Sequence, residues 1–250
     1  MARPVEGPVN VLGVGVDPLT VEELHAEIGR LVHSGERGLV LNANAHCLNL
    51  CYEDPKLRDF LNGAEVVFCD GVGVMLAARI LGRRLPARIT YADWIWQLAA
   101  FVESEGFSFY FLGARPGVAQ AAARRLKERY PGLEIVGVHH GYFDRSENEA
   151  VVEEINAAAP DILLVGLGMP LQEHWLMENW HRLDAGVALA GGAVFDYASG
   201  RLRRGSHLLT GAGLEWLARL LIEPRRLWRR YLIGNPLFLL RVLRQRLSRR

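Results

Sequence analysis

Little in this 250-residue chain points to a covalent or metal-built scaffold. Its three cysteines, Cys47, Cys51 and Cys69, are odd in number, and only the first two stand close, one helical turn apart. That spacing suits neither a zinc site nor a disulfide framework, so buried, inert thiols in a reducing compartment are expected. Asp-x-Asp, His-x-x-x-His and clustered acids are missing, so no divalent-metal site is expected. His139 and His140, adjacent at a strand end, are expected to face opposite ways, which is wrong for one ion. No apolar run approaches the roughly 18 residues of a spanning helix, and the opening MARPVEGPVN lacks the apolar core of a signal peptide. A chain kept in the cytosol is expected.

What is present is an uneven charge. The whole chain carries only +1, but residues 201–250 hold 13 arginines against Glu215 and Glu223, leaving the first 200 residues at −10. Such a tail is expected to meet something anionic: phosphates, a lipid surface or nucleic acid. Half of the residues are apolar, enough for a buried core.

The runs VNVLGVGVD, GLVLNANAH, AEVVFCDG, FSFYFLGA, LEIVGVHHG, DILLVGLG and VALAGGAVF read as buried strands, each closed by Gly, Asp or Asn. Between them VEELHAEIGRLVHSG, VGVMLAARILG, ADWIWQLAAFVESEG, GVAQAAARRLKERYPG, NEAVVEEINAAAP and LQEHWLMENWHRL carry helical periodicity. The alternation predicts an α/β fold with a mostly parallel sheet covered by helices on both faces, over residues 1–200. Residues 201–250 form an appendage: AGLEWLARLLI, a break at Pro224, then PRRLWRRYLIG and NPLFLLRVLRQRLSRR. Apolar and arginine residues interleave there as in an interfacial helix pair; an ordinary helical subdomain with a solvated basic face is the plainer reading.

Three strand ends carry candidate chemistry. FYFLGARPGVAQ is a strand, a turn with Gly113 and Gly117, and a helix start, which either receives an anion or simply needs glycine to turn. In LLVGLGMPLQEHW, Gln172 follows a second such turn, where it can hydrogen-bond a sugar or base edge, and Glu173 suits the first turn of a helix. Asp70, in VVFCDGVGV, is either a general base toward an acceptor hydroxyl or the N-cap of the next helix. With no metal ligands in view, a departing diphosphate needs guanidinium groups. Arg219, Arg226 and Arg229 would share one face of a continuous helix, and Arg88 is a further isolated cation.

Taken together, CDGVGVMLAARILG, PARITYADW, FLGARPGVAQAAARRL, YPGLEIVGVHHGYF, DILLVGLGMPLQEHW, GGAVFDYASG and LEWLARLLIEPRRLWRRY resemble the WecG/TagA/CpsF glycosyltransferases, over about residues 10 to 235. The resemblance implies a Rossmann-like domain with a membrane-docking helical appendage that closes the site. It implies inverting, metal-independent transfer of a sugar (N-acetylmannosamine, glucose or related) from a UDP-sugar to a polyprenyl-diphosphate-linked sugar, in cell-surface polysaccharide assembly. No cofactor, no metal and no nucleic-acid partner is implied; the protein would sit peripherally on the cytoplasmic side of the cell membrane.

By position, Asp70 matches the family's proposed base, Arg88 the arginine of P-x-R-V/I, Gln172 the glutamine of P-x-Q-E, and Asn44 the asparagine of T-x-N. Arg219, Arg226 and Arg229 match the appendage arginines held to bind the UDP diphosphate. Asn42 replaces the usual threonine of T-x-N. Arg204 is kept, but Gly205 and Ser206 depart from the common R-A-P, which implies a sugar or acceptor different from that of the N-acetylmannosamine enzymes. Arginines from Arg241 onward are then read as a lipid-facing surface. Two other classes stay open: an NAD-dependent oxidoreductase, favoured by glycine-rich turns but lacking the G-x-G-x-x-G fingerprint, and a non-catalytic membrane or nucleic-acid-binding module, favoured by the tail alone.

Overall fold

A computed structural model describes residues 7–202 and 215–248. The strands predicted over residues 38–190 form one six-stranded, mostly parallel sheet: β3 (Gly38–Ala43), β4 (Val66–Cys69), β5 (Ser108–Gly113), β6 (Glu134–His139), β7 (Ile162–Gly166) and β8 (Val187–Ala190), in the spatial order β4-β3-β8-β7-β5-β6. The α/β class and the Rossmann-like open sheet are as expected. The first predicted strand is not part of that sheet. Leu12 and Gly13 both take positive φ, 54° and 92°, and fold VNVLGVGV into an antiparallel hairpin of β1 (Val9–Val11) and β2 (Val14–Val16). Two successive left-handed residues match the right-handed twist of the flanking strands, which is why so short a run can reverse on itself.

The chain divides into two compact units. One comprises Val21–Leu41 and Thr90–Arg203. Here β5, β7 and β8 are buried at every residue, as parallel strands covered by helices must be, and this explains their unbroken apolar composition. β6 is the edge strand, and its exposure is correspondingly mixed. The Asp161 carboxylate accepts from Ser108 N–H at 2.7 Å and Ser108 Oγ at 2.8 Å, clamping the start of β5 to the start of β7. The helices of this unit are α1 (Val21–Ser34), α5 (Tyr91–Glu105), α6 (Val118–Arg129), α7 (Asn148–Ala158), α8 (Leu171–Asn179) and α9 (Val194–Ala198). On α5, Tyr91, Trp94, Ile95, Leu98, Ala99 and Val102 form the buried stripe, and Gly106 at φ 71° ends the helix in the left-handed conformation. Trp94 Nε1 donates to His25 Nε2 at 2.9 Å, joining α5 to α1. Burial holds the His25 ring below its usual pKa and so neutral.

The other unit comprises the described residues of Met1–Thr20, Asn42–Ile89 and Arg204–Arg250. It contains two helices that the periodicity did not reveal, α2 (Ala45–Glu53) and α3 (Pro55–Asn62), besides α4 (Val72–Ile80). Their signals were local. Asn44 Oδ1 caps α2 by accepting from His46 and Cys47 N–H, Asp54 caps α3, and Pro55 stands in the first turn of α3. All three cysteines are buried thiols outside any disulfide, as expected.

In the tail, α10 (Glu215–Ile222) breaks at Glu223 (φ −131°, ψ 60°), and α11 (Pro224–Trp228) restarts at Pro224 as predicted. A π-helical turn, Arg229–Ile233, then leads into α12 (Gly234–Ser248). Leu227, Tyr231, Phe238 and Val242 are buried, and α12 packs on α2 and α4. Asn49 Nδ2 donates to Gly234 O at 2.8 Å, and Gln245 Oε1 accepts from Leu12 N–H at 3.0 Å. Arg241 does not fit a lipid-facing surface. Its Nη1 donates to Asn49 O at 3.2 Å and Asn49 Oδ1 at 3.0 Å, it pairs with Glu53, and its guanidinium lies 4.4 Å from the Tyr52 ring centre. A long arginine stem covers apolar surface while its fork finds carbonyls, so helical spacing alone could not tell docking from display. No described helix is long and apolar enough to cross a membrane.

The Arg241 contacts are expected to hold α12 in place. Arg241→Ala should lower the unfolding free energy by roughly 1–3 kcal/mol in urea titration, the worth of hydrogen bonds to a charged group. Arg244→Ala, at an exposed position, should change it by no more than about 0.5 kcal/mol.

Candidate active site

In the unit that carries the tail, β4 ends at Cys69 and Asp70 follows. Asp70 N–H donates to Ala43 O at 2.8 Å, which extends the β3–β4 pairing by one step and holds the carboxylate at the end of the two strands. Gly71, at φ 114°, lets the chain turn at once into α4. The cap position of α4 belongs to Gly71, with no side-chain cap hydrogen bond, so the capping alternative for Asp70 is not used. Instead Asn42, only 6% exposed, donates from Nδ2 to Asp70 Oδ2 at 2.9 Å. An aspartate accepts only, so the amide nitrogen must face it. Asn42 Oδ1 is left buried without a hydrogen-bond partner.

Positive groups gather around this carboxylate. Arg88 acts on Cys69, whose thiol burial pushes up to about 12, with Asp70 adding to the rise and Arg88 opposing it. On Arg230, burial depresses the pKa first; Arg219 and Arg226 add to the depression, while Tyr231 and Asp70 oppose it. The group keeps its charge all the same. His46 is lowered to about 4, by burial first and by Arg230 second, and is neutral at ordinary pH.

The predicted tail arginines are therefore only partly aligned. The break at Glu223 interrupts the continuous helix that the common face of Arg219, Arg226 and Arg229 required. Arg219 and Arg226 do come within electrostatic reach of Arg230, on which Asp70 also acts. Arg226 is largely exposed and ion-paired to Glu223, and Arg229 is exposed, 5.3 Å over the Trp228 ring. Arg230, absent from the expected set, is the arginine of this turn that points inward. Its signal was its place three residues after Leu227 on the buried face. Asn44 is the cap of α2. Arg204 lies outside the described residues.

In the other unit, chain order around the sheet reverses between β5 and β7: β5 leads outward to β6, whereas β7 leads to β8 on the other side. The crevice beyond the carboxyl ends of strands at such a reversal is where open α/β sheets receive ligands. Gly113, at φ 147°, ends β5 there; a Cβ on it would lie 2.4 Å from the Gly166 carbonyl. Both its conformation and its closeness to β7 demand glycine. Gln172 is 1% exposed, and its Oε1 accepts from Gly168 N–H at 3.2 Å and Gly192 N–H at 2.8 Å, tying the turns after β7 and β8 together. Its Nε2 donates to Glu173 Oε1 at 2.8 Å. In this structure Gln172 thus shapes the crevice wall.

The His139 and His140 rings do not face opposite ways: their centres are 4.7 Å apart, and His139 Nδ1 lies 2.7 Å from His140 O, because the strand ends between them. Among the described residues no three His, Cys, Asp or Glu side chains are grouped as a metal ion would need.

The sequence profile of the Glycosyl transferase WecG/TagA/CpsF family matches residues 9–250. The chain belongs to this family. It is a glycosyltransferase, and neither the oxidoreductase nor the non-catalytic reading is favoured. It is 30% identical over 237 residues to the N-acetylglucosaminyldiphosphoundecaprenol N-acetyl-beta-D-mannosaminyltransferase of Bacillus spizizenii strain W23, covering 95% of this chain and 90% of that one. It is 28% identical over 236 residues to the enzyme of the same name from Staphylococcus aureus strain NCTC 8325, covering 94% and 91%.

Because the folded chain holds His46 at about 4 against 6.5 for a free ring, the unfolded chain takes up a proton that the folded chain refuses between those values. Stability is therefore expected to fall as pH is lowered from about 6.5 toward 4. His46→Gln should remove part of that decline in urea midpoints measured against pH, leaving the share of His25. A His46 ring that titrates near 6.5 by NMR would contradict the assignment.

Proposed function

We propose that this glycosyltransferase moves a sugar from a UDP-sugar to a polyprenyl-diphosphate-linked sugar, with inversion and without a metal ion, during cell-surface polysaccharide assembly. The observation that carries the reading is the Asp70 carboxylate, fixed by Asn42 and acting, within one unit, on Arg230, which Arg219 and Arg226 also reach. The relatives' names support the acceptor class and make N-acetylmannosamine a candidate for the transferred sugar; glucose or a related sugar is the alternative.

In the reaction the acceptor hydroxyl gives its proton to Asp70 while its oxygen bonds to the anomeric carbon. The bond from that carbon to the β-phosphate oxygen breaks, and its electron pair leaves with UDP. A single displacement inverts the centre. Guanidinium groups already in place stabilise the charge that grows on the diphosphate, since they need no reorganisation as the bond breaks. Arg88, Arg219 and Arg226 are assigned to phosphate or sugar contacts; Arg229, exposed and turned outward, is kept in that set on family position alone. Asn42 positions the base, and Asn44, as cap of α2, supports the strand end that carries Asn42. Within their own unit, Gly113 and Gln172 are assigned to a nucleotide-binding crevice, because a switch point is the usual place for a nucleotide in an open α/β sheet. Arg204 is kept in the proposed set on family position alone.

Turnover, read as UDP release with a short-chain lipid-diphosphate acceptor, should continue in chelator. It should fall at least about 100-fold in Asp70→Asn, the usual scale for a positioned general base. Asn42→Ala should fall less, and full activity in Asp70→Asn would remove the proposed base.

The tail is also assigned to the membrane surface on the cytoplasmic side. Leu221, Ile222, Trp228, Leu232, Ile233, Leu240, Leu243 and Leu247 are exposed along it, interspersed with exposed Arg225, Arg229, Arg244 and Arg246. Apolar side chains among arginines are the composition of an interfacial surface on anionic lipid. Co-sedimentation with anionic vesicles should be strong for the wild type and at least about tenfold weaker for Trp228→Glu with Leu232→Glu. Equal binding by that double variant would place the lipid contact elsewhere.

A further inference from the structure

The segment from Leu227 to Gln245 packs one face on its own unit, and the polar edge of that face is almost fully partnered. Gly234 O accepts from Asn49, Arg241 donates to Asn49 and Glu53, and Gln245 bonds Leu12 and Asn10. Arg230 belongs to the same edge. At 3.6 residues per turn it stands roughly 60° from Leu227, whereas Arg229 stands roughly 160° away, on the opposite side. Yet the Arg230 Nε is buried and finds no acceptor among the described residues. Its guanidinium lies 5.5 Å from the centre of the Tyr231 ring, which offers attraction but no hydrogen-bond acceptor.

A guanidinium cannot discharge itself on burial, so this position costs free energy until an anion meets it. The charged groups that act on it do not supply that acceptor. Arg219 and Arg226 have the same sign, and Asp70, the one carboxylate among them, attracts it through space without accepting from its Nε. His46 is neutral. The π-helical turn Arg229–Ile233 that carries Arg230 is itself a form found mostly as single turns at functional sites.

We propose that Arg230 is a phosphate-binding residue whose missing partner is the leaving, β-phosphate of the sugar nucleotide. The assignment to that phosphate follows from Asp70: the acceptor oxygen that it deprotonates attacks the anomeric carbon from the side opposite the β-phosphate, and a long arginine side chain within electrostatic reach of Asp70 can span from the base to the leaving group. The inference rests on the UDP-sugar reading for the nucleotide, but the buried Arg230 Nε without an acceptor among the described residues stands without it.

Calorimetric titration of the full chain with UDP, UMP and inorganic pyrophosphate tests the proposal. The wild type should bind UDP more tightly than UMP. Arg230→Ala should lose roughly 10–100-fold in affinity for UDP and for pyrophosphate, and much less for UMP, the scale of one charge-assisted hydrogen-bonding group. Arg230→Lys, which keeps the charge without the fork, should recover part of the loss, and it serves as the test variant if the alanine protein does not fold. UDP affinity unchanged in both variants would overturn the role of Arg230 while leaving the donor reading intact. An equal loss for UMP and UDP would also overturn it, as a structural effect. Pyrophosphate binding that depends on Arg230, in a protein with no affinity for UDP, would uphold the phosphate site and sink the donor reading. A wild type that binds neither would sink both.

Discussion

A carboxylate at the end of a buried strand has to be held in one orientation without being neutralised, and the Asn42–Asp70 hydrogen bond answers that requirement. The amide nitrogen of Asn42 fixes one carboxylate oxygen at 2.9 Å, and the Asp70 N–H is fixed in turn to Ala43 O. Asn42 and Ala43 are consecutive residues of β3, so one short piece of strand positions both the backbone and the side chain of Asp70. Threonine, which the family resemblance gives as the usual residue at position 42, could donate through its hydroxyl; asparagine donates through its amide, and adds a carbonyl oxygen that is buried without a partner among the described residues. That extra acceptor belongs to the same amide that holds Asp70.

In the unit that holds this carboxylate, Arg219 and Arg226 stand within electrostatic reach of Arg230, whose burial costs free energy in desolvation. The tail arginines accordingly divide by environment and not by sequence position. Arg241 bonds the protein, Arg230 faces inward without an acceptor at Nε, and Arg225, Arg229, Arg244 and Arg246 remain exposed among leucines. One basic, amphipathic stretch thereby serves as a strut, as a source of positive charge near Asp70 and as an outward apolar surface.

Much of this was legible in the chain as written. Unbroken apolar runs ending in glycine or aspartate marked β3 to β8, since a strand buried on both faces has no room for a polar alternation. Pro224 marked the break before α11, the three cysteines read as inert, and Asp70 stood out by its place after a strand. Other features were misread for physical reasons. The β1–β2 hairpin depends on Leu12 accepting a left-handed conformation that no leucine advertises. α2 and α3 are short, and their caps at Asn44 and Asp54 announced them more clearly than their periodicity did. Gln172 is a different case: it was read as a ligand contact, and the fold adds that its buried amide oxygen accepts from the N–H groups of two glycine turns, which composition could not show.

The sequence by itself determined the α/β class, the family, and the division between an acidic first part and an arginine-rich tail, because apolar patterning and charge are properties of local composition. Which arginine meets which partner was decided only by the tertiary structure. Arg229 and Arg230 are neighbours of identical chemistry, and a difference of about 100° around the helix, with Leu227 and Tyr231 buried, turns one outward and the other toward Asp70. Desolvation, which gives a guanidinium its need for an anion, exists only once the chain has packed.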